Sequence, residues 1–409
     1  MQRGRWFAWH SWVGLQLSVL MAFVLLTGTL ATVSPELDWL STPAKRATST
    51  APADNVPWGA MLADFQRRFP EARATFIDVP GEGWFAPELI AVDADGERFR
   101  VFFDRASGAV QGTGRWLNWQ RFLREAHRHL VMPIEIGLTI VGLLGIPLLV
   151  TFWSSLYVYK RWWRGFFRLP RRAAADRKRS VKSRRRFWGD LHRLAGVWSL
   201  WFVLLMAVTG IWYLVEHLGL NATLPALQEK PAASAEAPRL LERNPLGLDE
   251  LVSRAGREYP GLRVRSVFLD LYDGAVVVQG QADAVLVRDR ANHVAFDGVT
   301  GRLLDVRQGE TLDWHNRISE AADPLHFGDF AGAATRYLWA VFGAFMTLLS
   351  LSGVYLYGLR SAASLRRPAE RLAAVWRTAL GRIPRRYFLP QVLLVLACLV
   401  LASLRYLIL

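Results

Sequence analysis

Apolar and polar positions divide the chain into long hydrophobic runs and long mixed stretches. Five runs, at about 13–33, 134–158, 195–215, 337–357 and 388–407, each approach the ~20 residues a helix needs to cross a bilayer. Between the first and second runs, and again between the third and fourth, the pattern changes character. Residues 62–70 and 251–260 each predict an amphipathic helix that ends at a proline, Pro70 or Pro260. Each is followed by short β-rich stretches, at 75–79, 88–93 and 99–103 and then at 264–269, 275–279 and 285–287. The expected fold is an α-helical polytopic membrane protein with five transmembrane helices and two small α+β extracytoplasmic domains. Its expected boundaries are a helix at 1–34, an outer domain at 35–125, a helix at 126–159, a basic loop at 160–190 and a helix at 191–217. A second outer domain follows at 218–325, then a helix at 326–358, a basic loop at 359–387 and a last helix at 388–409.

This layout is an internal duplication. His10 is followed by Gly14 and Gly28, and His192 by Gly196 and Gly210, with spacings of four and eighteen in both copies. The outer stretches repeat as well, with Asp-x-x-x-Gly turns at Asp104 to Gly108 and Asp297 to Gly301. Each half then has a Trp-containing segment, at Trp119 and Trp314, before re-entering the membrane. Pro/Ala-rich patches at 41–57 and 224–238 predict linkers. The fifth hydrophobic run has no counterpart in the repeat, and no chemistry is assigned to it.

The formal charge of +15 raises the possibility of a nucleic-acid partner, but its placement argues otherwise. Between Lys160 and Arg186 lie thirteen Lys or Arg and one acid, Asp176; between Gly358 and Tyr387 lie eight Arg and one acid, Glu370. Both loops carry the excess that marks a cytoplasmic side, so the charge sets orientation and meets lipid headgroups, and no nucleic acid is expected. The N-terminus is expected inside and the main domains outside, in a bacterial inner membrane, with the first helix retained because 31–34 is a poor cleavage site. A single cysteine, Cys398, excludes a disulfide framework, a thiolate cluster and a c-type haem attachment.

The eight histidines then carry the chemistry. His10 and His192 sit at the inner ends of the first and third spans; His127, His129 and His326 sit just before the second and fourth. One histidine near a helix end is usually an interfacial residue, but two equivalent residues at one face and at least two at the other are what two bis-imidazole haem sites need. Gly14 and Gly196, one turn from their histidines on the same helix face, leave room for a flat macrocycle. His127 and His129 are about 200° apart around a helix, so only one faces the bundle. His315 and His217 are possible substitutes without repeat counterparts, and His293 is expected at the surface.

These features together resemble the PepSY-associated transmembrane family, which includes inner-membrane ferrisiderophore reductases of the ferrioxamine and ferripyoverdine type. The resemblance rests on the paired His-x-x-x-Gly to Thr-Gly spans, the PepSY-like helix-plus-strand segments and the Pro324-Leu-His-x-Gly328 element, and runs to about Arg360. The family's Leu-His-Arg-x-Leu entry to the second span is matched from His127 to Leu130 with Ala126 in place of the leucine, which selects His127 and leaves His129 as the runner-up. Where a Ser-Gly pair is expected, the second span has Ser154 and Ser155, whereas the fourth has Ser352 and Gly353.

The resemblance implies two haems b, with His10 and His192 on one iron and His127 and His326 on the other. It also implies electron transfer from the cytoplasmic to the periplasmic face and reduction of ferric siderophores to release Fe(II). No Gly-x-Gly-x-x-Gly element follows a strand on the inner side, so a cytoplasmic donor or quinol is expected to supply the electrons. Trp58, Trp84, Trp116, Trp119 and Trp314, with Arg115, Arg121 and Arg317, are the candidates for docking a chelate. Two other functions fit the same layout: a haem subunit feeding a separate periplasmic reductase, and a non-redox module whose outer domains bind or restrain a protein. The histidine set favours the haem readings, since a binding module has no need of it.

Overall fold

The computed structural model describes residues 2–49, 56–170, 181–223, 226–231, 240–245, 247–365 and 371–408. Parts of the expected basic loops, including Asp176 and Glu370, and much of both expected linkers lie outside the described residues. The chain forms two compact units, one of Met1–Ser34, Gln120–Asn221 and Arg336–Leu409, the other of Pro35–Trp119 and Ala222–Thr335.

The first unit is helical. Ile134–Val158, Leu200–Leu220, Ala333–Ser364 and Arg385–Tyr406 are long and apolar enough to cross a membrane, and Gly4–Gln16 with Ser18–Thr32 makes a fifth span if the two are taken together. This is a multi-pass membrane protein. The first span is not straight: its two arms meet at 71° around Leu17. Elsewhere small residues bring helix backbones close. A Cβ added at Gly142 or Gly145 would lie 2.9 Å from Leu214 or Ile211, and one at Gly343 would lie 2.6 Å from Thr29 Oγ1. Close approach of this kind maximises packing where lipid is as apolar as the side chains. Hydroxyls within the spans return to their own helices, with Thr27 donating to Phe23 O at 2.9 Å and Thr209 to Leu205 O at 2.8 Å, so neither faces hydrocarbon unpaired.

The second unit is built on one antiparallel sheet. Its strands are β1 (Arg73–Asp78), β2 (Glu88–Val92), β3 (Arg98–Phe103), β4 (Val110–Arg115), β5 (Arg263–Leu271), β6 (Ala275–Gln281), β7 (His293–Asp297) and β8 (Leu303–Arg307). Their order is β4-β3-β2-β1-β5-β6-β7-β8. Each half is a four-stranded meander, and the halves join where β1 pairs with β5 through Phe76–Phe268, Ile77–Val267 and Asp78–Ser266. The two outer segments, expected as separate domains, therefore share one sheet. The physical reason is that each meander alone would leave β1 or β5 as an unpaired edge, and pairing the two removes both edges. The amphipathic helices Trp58–Arg68 and Gly247–Glu258 bury Met61, Leu62, Phe65, Leu248 and Leu251 in the same core as Ile77, Val101, Val267, Val278 and Phe296.

The repeated Asp-x-x-x-Gly turns have the same build in both halves. Asp104 accepts from the Ser107 amide and Asp297 from the Thr300 amide, each at 2.8 Å, while Gly108 and Gly301 take φ of 72° and 70°. That left-handed conformation is why glycine closes each turn. Burial would raise the Asp104 carboxyl, but hydrogen bonds from Ser49, Ser107 and Thr48 hold it well below the usual carboxylate range. Residues 285–287, expected as a strand, form a loop leading to Arg288 and Arg290, which bind Glu320 on the helix Trp314–Phe327. Glu320 is 1% exposed and Arg288 reaches Asp323 as well. Breaking a buried ion pair costs ~3–5 kcal/mol, and partial exposure of both arginines lowers that to about 2 kcal/mol. Glu320→Ala is therefore expected to lower the thermal midpoint of the detergent-solubilised chain; an unchanged midpoint would show the cluster to be neutral.

Candidate functional site

Four of the residues singled out by their repeat meet at one cavity in the membrane unit. His10, Gly14, His192 and Gly196 all line a space of about 600 Å³, within the size range of ligand sites. The His10 and His192 ring centroids are 6.4 Å apart with the ring planes at 83°. A Cβ at Gly14 would meet nothing within 4 Å, so this glycine opens onto the cavity, whereas one at Gly196 would make an ordinary 3.6 Å contact with Leu349.

Each histidine is oriented by a serine from a different span. His10 Nδ1 lies 3.1 Å from Ser154 Oγ, and His192 Nδ1 lies 2.8 Å from Ser352 Oγ. The serine hydroxyls are already spent as donors, Ser154 on Thr151 O at 3.1 Å and Ser352 on Leu349 O at 3.4 Å. With the hydroxyls turned that way, each serine oxygen is free to accept from Nδ1–H, the tautomer in which Nε2 keeps its lone pair. Such a neutral imidazole, its other nitrogen held by an outer partner, is a metal ligand ready for use. The serines were visible in the sequence only as a helix-packing pattern; their common signal is that they occupy matching places in the second and fourth spans.

Arginines border the same cavity. Arg185, Arg193 and Arg360 line it, with Arg360 stacked 4.6 Å from the Phe7 ring centroid and donating to Ser11 Oγ at 3.4 Å, while Arg193 pairs with Asp190 at 2.9 Å. Among the described residues no group of three or more His, Cys, Asp or Glu is placed to hold a metal ion. A ligand set drawn from two imidazoles is complete only if the remaining donors come with a cofactor.

The other candidates are placed as follows. His127, on the helix Trp119–His129, has Nδ1 at 2.9 Å from Val24 O, and its ring packs so tightly on Gly28 that a Cβ there would lie 2.6 Å from Cε1. His129 is buried, with Nδ1 bound to Met132 O at 2.7 Å, closing the turn into the second span. His326 is on the helix Trp314–Phe327 of the second unit, just before Gly328 ends that helix with φ 74°. His217 bonds Glu135 O at 3.1 Å, and His315 stacks on Trp314. His293 is not at the surface: it is 2% exposed because Nε2 pairs with buried Asp305 at 3.2 Å inside the sheet.

The aromatic and basic set expected to dock a chelate is scattered among different roles. Trp58 is in the core, Trp116 is covered by Arg98 and Arg100, Arg121 pairs with Glu125, and Arg317 is spent on Val285 O and Gly309 O. Trp84, Trp119 and Trp314 remain exposed.

Among known proteins, an uncharacterized protein of Pseudomonas aeruginosa is 26% identical over 266 residues, covering 60% of this chain. The match spans 64% of that protein's own length, a little less than two thirds. The family described as the PepSY-associated TM region matches residues 7–360. That match runs from Phe7 to Arg360, which stack on one another at the cavity, and takes in both histidine–serine pairs; the chain belongs to the PepSY-associated TM family.

Proposed function

We propose that this chain is a membrane reductase holding two haems b, carrying electrons from the cytoplasmic side of a bacterial inner membrane to the periplasm and delivering them to Fe(III)-siderophores. The observation that carries the proposal is the serine-held histidine pair at the cavity. Two imidazoles bonded to one metal at ~2 Å each have ring centres roughly 6 Å apart, close to the 6.4 Å between His10 and His192. The cavity is lined mainly by apolar side chains, with Gly14 leaving space beside His10. His10 and His192 would hold the iron, and Arg360 and Arg185 suit the haem carboxylates. His127 would be a ligand of the second, outer haem.

When bound, haem supplies a one-electron carrier. The chain's own residues supply the rest: Ser154 and Ser352 fix the imidazole tautomers, and the apolar wall around Val13, Leu25, Leu148 and Met346 excludes water. Electrons enter from a cytoplasmic donor or quinol. One electron converts the chelated Fe(III) to Fe(II), which oxygen ligands hold far less tightly, so iron leaves without hydrolysis of the chelator.

Two tests follow. Anaerobic mixing of the reduced, purified protein with a ferric hydroxamate is expected to release one Fe(II) per electron stored, captured by a ferrous-specific chelator. A protein that stays reduced would remove ferric chelates as substrates. A Cβ at Gly14 meets nothing within 4 Å and the residue lines the cavity, so Gly14→Leu is expected to fill cavity space and abolish haem at the inner site, with the apo-protein still folded by its thermal midpoint. Full haem content in that variant would place the cofactor elsewhere.

A further inference from the structure

The fifth membrane helix, Arg385–Ser403, lies beyond the family match and outside the repeat. Its one buried amide meets the chain where the first span bends. Gln391 is 4% exposed; its Oε1 accepts from Leu20 N–H at 3.1 Å, and its Nε2 donates to Gln16 O at 2.7 Å and Tyr387 O at 2.6 Å. In a straight helix Leu20 N–H would bond Gln16 O directly, since the two are four residues apart. The Gln391 side chain is inserted into that one broken hydrogen bond and satisfies both of its ends. An inserted side chain is one of the few causes of a sharp kink, and in a membrane the freed backbone groups must find such a partner.

The helix is fixed in place around this contact. Cys398 and Ala402 pack with Leu20, Val24, Ala126 and Leu130, and Arg405 pairs with Glu125 at 2.9 Å, anchoring the helix beside the element that carries His127. His10 lies on the arm Gly4–Gln16, two helical turns before the bend. The direction of that arm decides whether its imidazole reaches the cavity and Ser154.

We propose that Gln391 is a positioning residue: it holds the first span bent by bridging Leu20 and Gln16, and thereby sets His10 as an axial ligand. The role of His10 rests on the haem reading above, whereas the bend itself does not.

The test uses nitroxide labels on both sides of the bend, at the exposed positions Trp9 and Leu26, in a Cys398→Ala background. Opening the 71° bend lengthens the distance between these positions by about 5 Å. Gln391→Leu is expected to give that increase in apo-protein, where Leu20 and Gln16 regain their own hydrogen bond, and to abolish or alter the inner haem's low-spin signal while sparing the outer one. Leu20→Pro added to Gln391→Leu is expected to restore both, because proline has no N–H to satisfy and its ring excludes the carbonyl four residues back. An unchanged label distance in Gln391→Leu would overturn the clamp. An opened bend with an unaltered inner haem would overturn the positioning of His10. If Gln391→Leu does not fold, the double variant decides: folded protein with the wild-type distance supports the clamp, and failure to recover overturns it. A wild-type chain without haem would defeat the haem reading and leave the distance measurement standing.

Discussion

His10→Ala and His192→Ala are each expected to remove the inner haem while leaving the outer haem spectrum in place. Both imidazoles line one cavity, their centroids are 6.4 Å apart, and among the described residues no other histidine borders it. On the proposed haem reading, each loss would leave the iron with one protein ligand and no replacement nearby. Losing an outer partner of a ligand typically costs ~10–100-fold in metal affinity, and losing the ligand itself costs more. Ser352→Ala, which frees His192 Nδ1 but keeps the ring, should sit between wild type and His192→Ala, retaining haem with weakened affinity. Haem content, followed with the ferric low-spin signal, reads the series. Imidazole planes held near perpendicular give a strongly anisotropic ferric signal, so the 83° angle predicts that signature for the inner haem. Two intact haems in either alanine variant would dissolve the His10–His192 pair.

Gly28→Ala is expected to produce the opposite pattern, loss of the outer haem with the inner one retained. The new Cβ would fall 2.6 Å from His127 Cε1 and 2.7 Å from Nδ1, closer than non-bonded atoms come. The ring is tied to Val24 O, so it must give up that hydrogen bond in order to move. Displacing a ligand by a fraction of an ångström in a packed interior costs several kcal/mol once the lost bond and the strain are combined. At Gly210, the repeat counterpart, a Cβ meets nothing within 4 Å, so Gly210→Ala should leave the thermal midpoint unchanged. An outer haem undisturbed by Gly28→Ala would take His127 out of the ligand set.

The halves of the molecule differ in how far the sequence discloses them. The pairing of His10 with His192 was legible because the same His-to-Gly spacing occurs twice, and one copy at each of two inner helix ends leaves little choice of partner. The serines behind them were legible only as residues of the right size for helix packing, since nothing in their spacing shows which hydroxyl faces an imidazole. Strand β4 escaped notice because Gly112 and Gly114 are poor strand formers; they are there because Ala44 and Phe102 press within 2.7 and 2.8 Å of where a Cβ would be. The single sheet depends on Asp78 meeting Arg265 and its neighbours across 187 residues, a pairing that no local pattern specifies. The bend at Leu17 is the clearest case. No proline marks it, and the groups it frees are met by an amide 375 residues beyond Gln16 along the chain.

The most direct test is pyridine haemochrome quantitation with a reduced-minus-oxidised spectrum on detergent-purified protein made with ample haem supply. Two b-type haems per chain are expected, both reducible. A chain that is folded and carries no haem would contradict a redox function and leave the shared sheet of the second unit, rather than the histidine pair, as the place to look for what the protein binds.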